Sequence, residues 1–221
     1  MTDRDTTGLS RRQLIARSGK LAGGALVASQ LVVPAPNAEA KGADPASEAL
    51  RALTPEQAGT LEAVLERLLP TDATGPGAKE ANVLRYIDWS LAGDLKVFVG
   101  PYQSALAAID AYAQAQFGAV FTALSASQQD TILTEMEANT ATGFSPSSQA
   151  VFTMIRTHAV QGMFGDPAHG GNVGFVGWKL VGFPGPRLVI DAHDQKLNVK
   201  VKNQLQSAYS IKLFKPTKVD R

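Results

Sequence analysis

The stretch TPEQAGTLEAVLERLLP, residues 54–70, predicts an amphipathic α-helix whose two ends are encoded locally. Thr54 is placed to cap the helix, Pro55 fits its first turn, and Gln57 stands where it completes a capping box. Pro70 ends the helix. The apolar residues recur at the spacing of one helical face, which indicates a helix buried on one side: Leu61, Val64, Leu65, Leu68 and Leu69.

Four further segments show helical periodicity, and no segment before Gly162 alternates with period two over a sustained run. Two of them cover residues 78–91 and 102–117. A third opens at Ser125, with Gln128 at the capping-box position, and a fourth runs from Ser147 to Gly162. The sequence therefore predicts a mainly α protein, with a single domain of about five helices over residues 54–186 and a leader segment over residues 41–53.

A loop rich in glycine and aromatic residues follows the last helix. It reads GMFGDPAHGGNVGFVGWKLVGFPGP, residues 162–186, and holds eight of the 20 glycines of the chain. Glycine allows close backbone approach, while Phe and Trp supply apolar area that favours an ordered loop. Two interpretations stay open, because such a loop either fills the core of its own domain or packs against a partner.

The C-terminal segment, residues 187–221, is basic and is predicted to be an arm. It carries eight Lys/Arg residues against three Asp/Glu residues, which is too dilute to predict a nucleic-acid partner. Residues 197–202 alternate apolar and polar side chains, which favours a strand or an extended arm. Such an arm would lie on its own domain or on a neighbouring protein.

Residues 1–40 have the parts of a cleaved export signal. A charged start is followed by an uncharged stretch of about 13 residues, shorter than the roughly 20 that a membrane-spanning helix needs. Ala38 and Ala40 form an A-x-A end, which predicts cleavage after Ala40. Arg11 and Arg12 after a serine resemble a twin-arginine signal, read by the translocase that carries folded proteins, and an ordinary Sec signal is the alternative.

The composition narrows the chemistry of the chain. It contains no cysteine, which excludes disulfides, attached c-type haem and cysteine-ligated iron–sulfur clusters in this chain. No Walker A motif, dinucleotide fingerprint or nucleophile elbow is present. We therefore predict neither a catalytic residue nor a cofactor-binding residue in this chain. A folded-export signal on a chain without cysteine leaves two interpretations: either a cofactor binds without cysteine, or the signal serves a companion protein that travels with this subunit.

Each of the few titratable candidates has a purely structural interpretation beside the functional one. His158 is predicted to be a partly buried histidine bonded to a neighbour. Asp166 and His169 form either a general-base pair or a turn in which Asp166 bonds its own backbone. The histidines have no ligand spacing, so no metal site is predicted. Carboxylate pairs such as Glu62 with Glu66 are expected to be solvated.

Five short motifs resemble a known family. They are LLPTD (residues 68–72), PGA (76–78), YID (86–88), GDPAHGGN (165–172) and GWKLVGFPG (177–185). Together they are similar to the gluconate 2-dehydrogenase subunit 3 family, over roughly residues 55–186. One departure is visible, because Val173 and Gly174 stand where the family often has a charged pair, so contact there would be apolar.

The resemblance implies a small, non-catalytic subunit. Its partner would be a large FAD-dependent dehydrogenase of the glucose–methanol–choline type that oxidises a sugar, a sugar acid or a related alcohol. Such complexes often include a c-type cytochrome subunit. FAD would then lie in the partner, and the complex would be periplasmic, membrane-associated and exported together with this subunit. The residues expected to bind the partner are Phe164, Asp166, His169, Asn172, Phe175, Trp178, Lys179 and Phe183.

Two other classes of function remain open at this point. The chain would be an enzyme in its own right if His169 and Asp166 worked as an acid–base pair. It would be a stand-alone periplasmic binding module if it worked without a dehydrogenase partner.

Overall fold

The computed structural model describes residues 49–187, 189–199 and 202–211. The predicted signal residues Arg11, Arg12, Ala38 and Ala40 lie outside these described residues. Within them the chain is helical and has no strand, which confirms the mainly α class. The six helices are α1 (Pro55–Leu68), α2 (Val83–Leu91), α3 (Val99–Phe117), α4 (Ala126–Glu137), α5 (Ser148–Phe164) and α6 (Val176–Val181). Five of them correspond to the predicted helices, and α6 lies inside the glycine-rich loop.

Both predicted capping boxes are confirmed. In α1 the Gln57 backbone N–H donates to the Thr54 hydroxyl at 3.3 Å, while the Thr54 N–H donates to Gln57 Oε1 at 3.0 Å. Ser125 and Gln128 form the same reciprocal pair at the start of α4. Each box satisfies backbone donors that the first turn of a helix leaves free, so these helix starts are set by local sequence.

The core forms around α1, which packs against α2, α3, α4 and α5. The predicted apolar stripe of α1 is confirmed, since all five of its residues are buried. Helix α5 also packs against α2, α4 and α6, so it carries the loop that follows it. Ion pairs brace the bundle at its edge: Arg67 of α1 holds Asp130 of α4 through two hydrogen bonds of 2.7 and 2.6 Å.

Two of the predicted helix starts were wrong. Residues 79–82 form turns, and α2 begins only at Val83 because Asn82 adopts a left-handed conformation with φ 56°. Helix α3 begins at Val99, three residues before the predicted start, directly after a 3₁₀ turn at Lys96–Phe98. Boundaries of this kind depend on the chain conformation outside the periodic pattern.

Asp88 of α2 attaches the N-terminal leader to the domain. Its carboxylate is buried, and it accepts hydrogen bonds from the backbone N–H groups of Arg51, Ala52 and Leu53 at 2.7, 3.0 and 3.0 Å. A buried carboxylate is stable when several N–H donors replace the water that it has lost. The leader therefore reaches the domain through a defined polar contact.

The C-terminal arm returns to its own domain. Residues 192–198 form turns and a bend, so of the two alternatives predicted for residues 197–202, a strand or an extended arm, the strand is not found in the described part. An alternating segment needs a partner strand, and the described residues offer none. Further along, the Gln204 N–H donates to the Pro184 carbonyl at 2.6 Å. No helix among the described residues is long and apolar enough to cross a membrane.

His158 of α5 is a buried neighbour of α3. Its Nδ1 lies 3.0 Å from the Tyr102 hydroxyl, its ring stacks on that of Tyr102, and the Phe98 ring meets it edge-on. The predicted hydrogen bond to a neighbour is confirmed, and His158 is buried where the sequence predicted partial burial. Burial lowers the pKa of His158 below its usual value, because the imidazolium would lose its hydration.

This shift predicts a pH-dependent stability. Above about pH 6.5 His158 is neutral in both the folded and the unfolded chain. Below that pH the unfolded chain binds a proton that the folded protein resists, so the free energy of unfolding should fall until the pH passes the folded pKa. His158→Gln keeps an acceptor for Tyr102 and removes the titration. Urea unfolding at pH 7.5 and 5.5 should show a smaller pH dependence for this variant, and equal dependence would contradict the assignment.

Candidate functional site

The glycine-rich loop begins with a turn organised by Asp166. One carboxylate oxygen of Asp166 accepts the Ala168 N–H at 2.9 Å and starts a 3₁₀ turn at Pro167–His169. The other oxygen accepts the N–H of Ala208 in the C-terminal arm at 2.7 Å. The expected turn in which Asp166 bonds its own backbone is therefore present, and the same side chain also holds the arm.

The His169 ring faces the arm, and its hydrogen bond to Asp166 runs only through the backbone, from the His169 N–H to the Asp166 carbonyl at 3.1 Å. Its Nε2 lies 3.4 Å from the Tyr209 hydroxyl, and the two rings meet edge-to-face with centroids 5.5 Å apart. A general base needs an orienting partner within hydrogen-bonding distance, and here the carboxylate of Asp166 is occupied by backbone N–H groups. The structure therefore does not assemble these two residues as an acid–base pair.

Asn172 closes the loop from the inside. It is fully buried, its Nδ2 donates to the Gly165 carbonyl at 2.8 Å, and its Oδ1 accepts the Gly177 N–H at 2.9 Å. One amide thus joins the end of α5 to the start of α6. Its backbone is left-handed, with φ 46°, a conformation that asparagine tolerates better than most residues. Asn172 therefore acts on the shape of the loop.

Helix α6 packs closely on the end of α5. A Cβ atom at Gly177 would overlap the Met163 carbonyl oxygen, so only glycine allows this approach. The approach buries Trp178, whose Nε1–H donates to the Phe164 carbonyl at 2.8 Å. The Trp178 ring in turn supports Phe183 edge-on, with centroids 4.9 Å apart. Phe164 packs against the core of the bundle.

The outer part of the loop stays exposed. Val173, Val181 and Phe183 expose 40%, 51% and 41% of their surface, and Lys179 is exposed beside them in sequence. We call these four the exposed loop residues. Phe175 is half-buried against Trp178 and has a left-handed backbone with φ 60°, which is unusual for an aromatic residue. The loop thus fills its own core with one set of residues and offers another set to solvent.

A cluster in the arm was missed by the sequence reasoning. One possible ligand atom from each of Asp191, His193 and Asp194 lies within 4.8 Å of the others, and the signal was the short spacing D-x-H-D. Asp191 bonds the backbone of the turn, and Asp194 pairs with Arg187 at 2.8 Å. These contacts explain the cluster without a cation.

Two surface grooves lie outside the loop. One, of about 450 Å³, runs along α5 between Ser147 and His158. The other, of about 430 Å³, lies between α1 and α2 and is lined by Glu62, Glu66 and Trp89 among others. The expectation of solvated carboxylates was wrong for Glu66, which is half-buried with one oxygen fully enclosed. Burial, with Glu80 nearby, raises the pKa of Glu66.

The geometry defines a class of protein, an all-α domain closed by a glycine- and aromatic-rich loop that its last long helix carries. The family described as gluconate 2-dehydrogenase subunit 3 matches residues 55–185, which is more than half of the chain and runs from the start of α1 through the loop. The chain belongs to this family. Membership implies a place in a multi-subunit dehydrogenase complex. No curated protein and no solved structure matched the chain.

The loop geometry predicts that Asn172 is required for stability. Asn172→Ala should lower the free energy of unfolding by about 2–4 kcal/mol, because it leaves a buried carbonyl and a buried N–H without partners. Asn198→Ala is the matched control, since Asn198 is also left-handed but is exposed. That control should cost about 1 kcal/mol. Urea unfolding measures both, and equal losses would contradict a special role for the Asn172 amide.

Proposed function

We propose that this chain is a small, non-catalytic subunit that binds and stabilises a FAD-dependent dehydrogenase of the glucose–methanol–choline type. The observation that carries the proposal is the family match over residues 55–185. The substrate of the partner would be a sugar, a sugar acid or a related alcohol. The partner would carry the FAD, and a c-type cytochrome subunit would complete the complex where its electrons pass to a respiratory chain.

The arrangement of buried and exposed residues in the loop supports binding to a partner. Its rigid interior is made by Asn172 and Trp178, while Val181 and Phe183 remain exposed on top of it. An apolar side chain held in place before binding loses little conformational freedom in the complex, so its burial contributes to affinity. The left-handed backbone of Phe175 is a second feature of the kind found at binding surfaces.

The eight residues predicted to bind the partner have different roles in this proposal. Phe183 and Lys179 would meet the partner directly, and Phe175 would do so through its exposed part. Asn172, Trp178 and Phe164 would shape the surface from below. Asp166 and His169 hold the C-terminal arm beside the loop, so the arm would line the same surface.

We also propose that the subunit exports its partner. A twin-arginine signal in residues 1–40 would carry the folded complex, with FAD already bound, into the periplasm, where it would associate with the membrane through its other subunits. The support for this is the Ser-Arg-Arg-x-Leu-Ile sequence at residues 10–15 together with the cysteine-free composition of the chain.

The binding proposal is tested at Phe183. Phe183→Ala and Val181→Ser in the tagged subunit should each reduce co-purified flavoprotein, measured by flavin absorbance, by about tenfold, since an exposed anchor loses its contact area. Leu197→Ala is the control, because Leu197 is 93% exposed and lies outside the loop. Circular dichroism should stay unchanged. Full flavin recovery with both loop variants would exclude the exposed loop residues as the binding surface.

The export proposal is tested at the paired arginines. Substituting Lys for both Arg11 and Arg12 keeps the positive charge that a Sec signal uses, but removes the guanidinium groups. Dehydrogenase activity in the periplasmic fraction should then be lost and should remain in the cytoplasm. Continued export of both subunits would favour the Sec alternative. Export of the dehydrogenase without this subunit would show that the dehydrogenase does not need this subunit to reach the periplasm.

A further inference from the structure

We propose that Trp89 couples the N-terminal leader to the glycine-rich loop, so that the conformation of the loop determines how firmly the leader is held on the domain. Trp89 follows Asp88 on α2 and is half-buried. Its ring is contacted by the leader and by the loop, two segments about 120 residues apart in sequence.

The leader side of the contact consists of Arg51 and the backbone that follows it. The Arg51 guanidinium lies 3.8 Å from the Trp89 ring centroid, which is a close cation–π contact. The backbone N–H of the same residue donates to Asp88 at 2.7 Å. Both contacts need α2 in place, so the leader is attached only to a domain in which this helix has formed.

The loop side of the contact consists of Gly170. Its backbone is left-handed, with φ 97°, and a Cβ atom at this position would lie 3.0 Å from Cε3 of Trp89. The Gly170 carbonyl accepts the Nε–H of Arg85 at 2.8 Å, and the Arg85 guanidinium lies 5.0 Å from the Trp89 ring centroid. The turn therefore rests against the indole and is fixed there by a hydrogen bond.

The shared ring makes the two attachments dependent on each other. If the turn at Gly170 moves outward, the Trp89 indole must follow it and Arg51 loses contact with the ring. If the turn moves inward, Arg51 gains contact. Coupling between binding sites is reciprocal, so a partner that orders the loop would also hold the leader more firmly. This last step rests on the proposed function, whereas the coupling within the chain does not.

Limited trypsin digestion of the full-length subunit alone tests the coupling. Trypsin cleaves after Arg51 only when residues near it leave the domain, so the rate at which Ala52 appears as a new N-terminus reports release of the leader. Asp88→Asn should raise this rate about tenfold, because an amide replaces the carboxylate that faces three N–H donors. Gly170→Ala, whose added methyl group presses the turn against Trp89 and leaves the contacts of Asp88 in place, should raise it about fivefold.

A matched glycine in the same loop provides the control. Gly174 also has a left-handed backbone, with φ 62°, but a Cβ atom there would touch nothing. Gly174→Ala should leave the cleavage rate at Arg51 unchanged. If Gly170→Ala lowers the melting temperature by more than about 5 °C, Arg85→Lys replaces it, because this change removes the Nε–H that holds the turn. The double variant of Asp88 and Gly170 should show less than the product of the two single effects.

The result that overturns the coupling is a normal cleavage rate in Gly170→Ala, or in Arg85→Lys where that variant takes its place, together with a raised rate in Asp88→Asn. The leader would then be held by Asp88 alone. Because the experiment uses no partner, that result would leave the proposed function untouched. Conversely, loss of flavoprotein binding would not alter the trypsin result. Where a flavoprotein does co-purify, its presence should slow cleavage after Arg51, and an unchanged rate would show that the loop does not pass partner binding on to the leader.

Discussion

The buried side-chain amide of Asn172 is the contact on which the shape of the loop depends. It supplies a donor to Gly165 and an acceptor to Gly177, two backbone groups that would otherwise be buried without partners. With these satisfied, α6 can lie against the end of α5 and bury Trp178. Without the amide, the Trp178 indole and the Phe183 ring packed on it would lose the support that the packing of α6 on α5 provides.

The loop belongs both to the core and to the surface, and α5 is the reason. That helix packs on α1, α2 and α4, and its last turn receives α6. The loop is therefore anchored to the most connected part of the bundle, and its outer residues are presented from a rigid base. The C-terminal arm adds a second border, since Asp166 and His169 bind it beside the loop. These contacts hold the outer residues of the loop against the bundle on one side and the arm on the other.

The start of a helix could be predicted from the sequence where neighbouring side chains determine it, as in the capping boxes at Thr54 and Ser125. The start of α2 could not, because it depends on the left-handed backbone of Asn82. The motif around Asn172 identified the loop, but it did not tell which loop residues are buried and which are exposed. That depends on the contacts of the Asn172 amide, which are set by how α5 and α6 meet. Alternation in residues 197–202 suggested a strand, but a strand requires a partner that no local pattern can supply.

Asp88 holds the leader through backbone N–H groups, and in the described part of the chain no positively charged side chain is among its hydrogen-bond partners. Dissolved ions screen charges most where water reaches them, so they act less on this buried carboxylate than on the partly exposed pair of Arg67 with Asp130, whose side chains are 27% and 29% exposed. The hydrogen bonds between Asp88 and the leader are therefore expected to depend less on ionic strength than that ion pair does. This part of the leader's contact with the domain should change little between dilute and concentrated salt, whereas the cation–π contact made by the exposed Arg51 should weaken as salt is added.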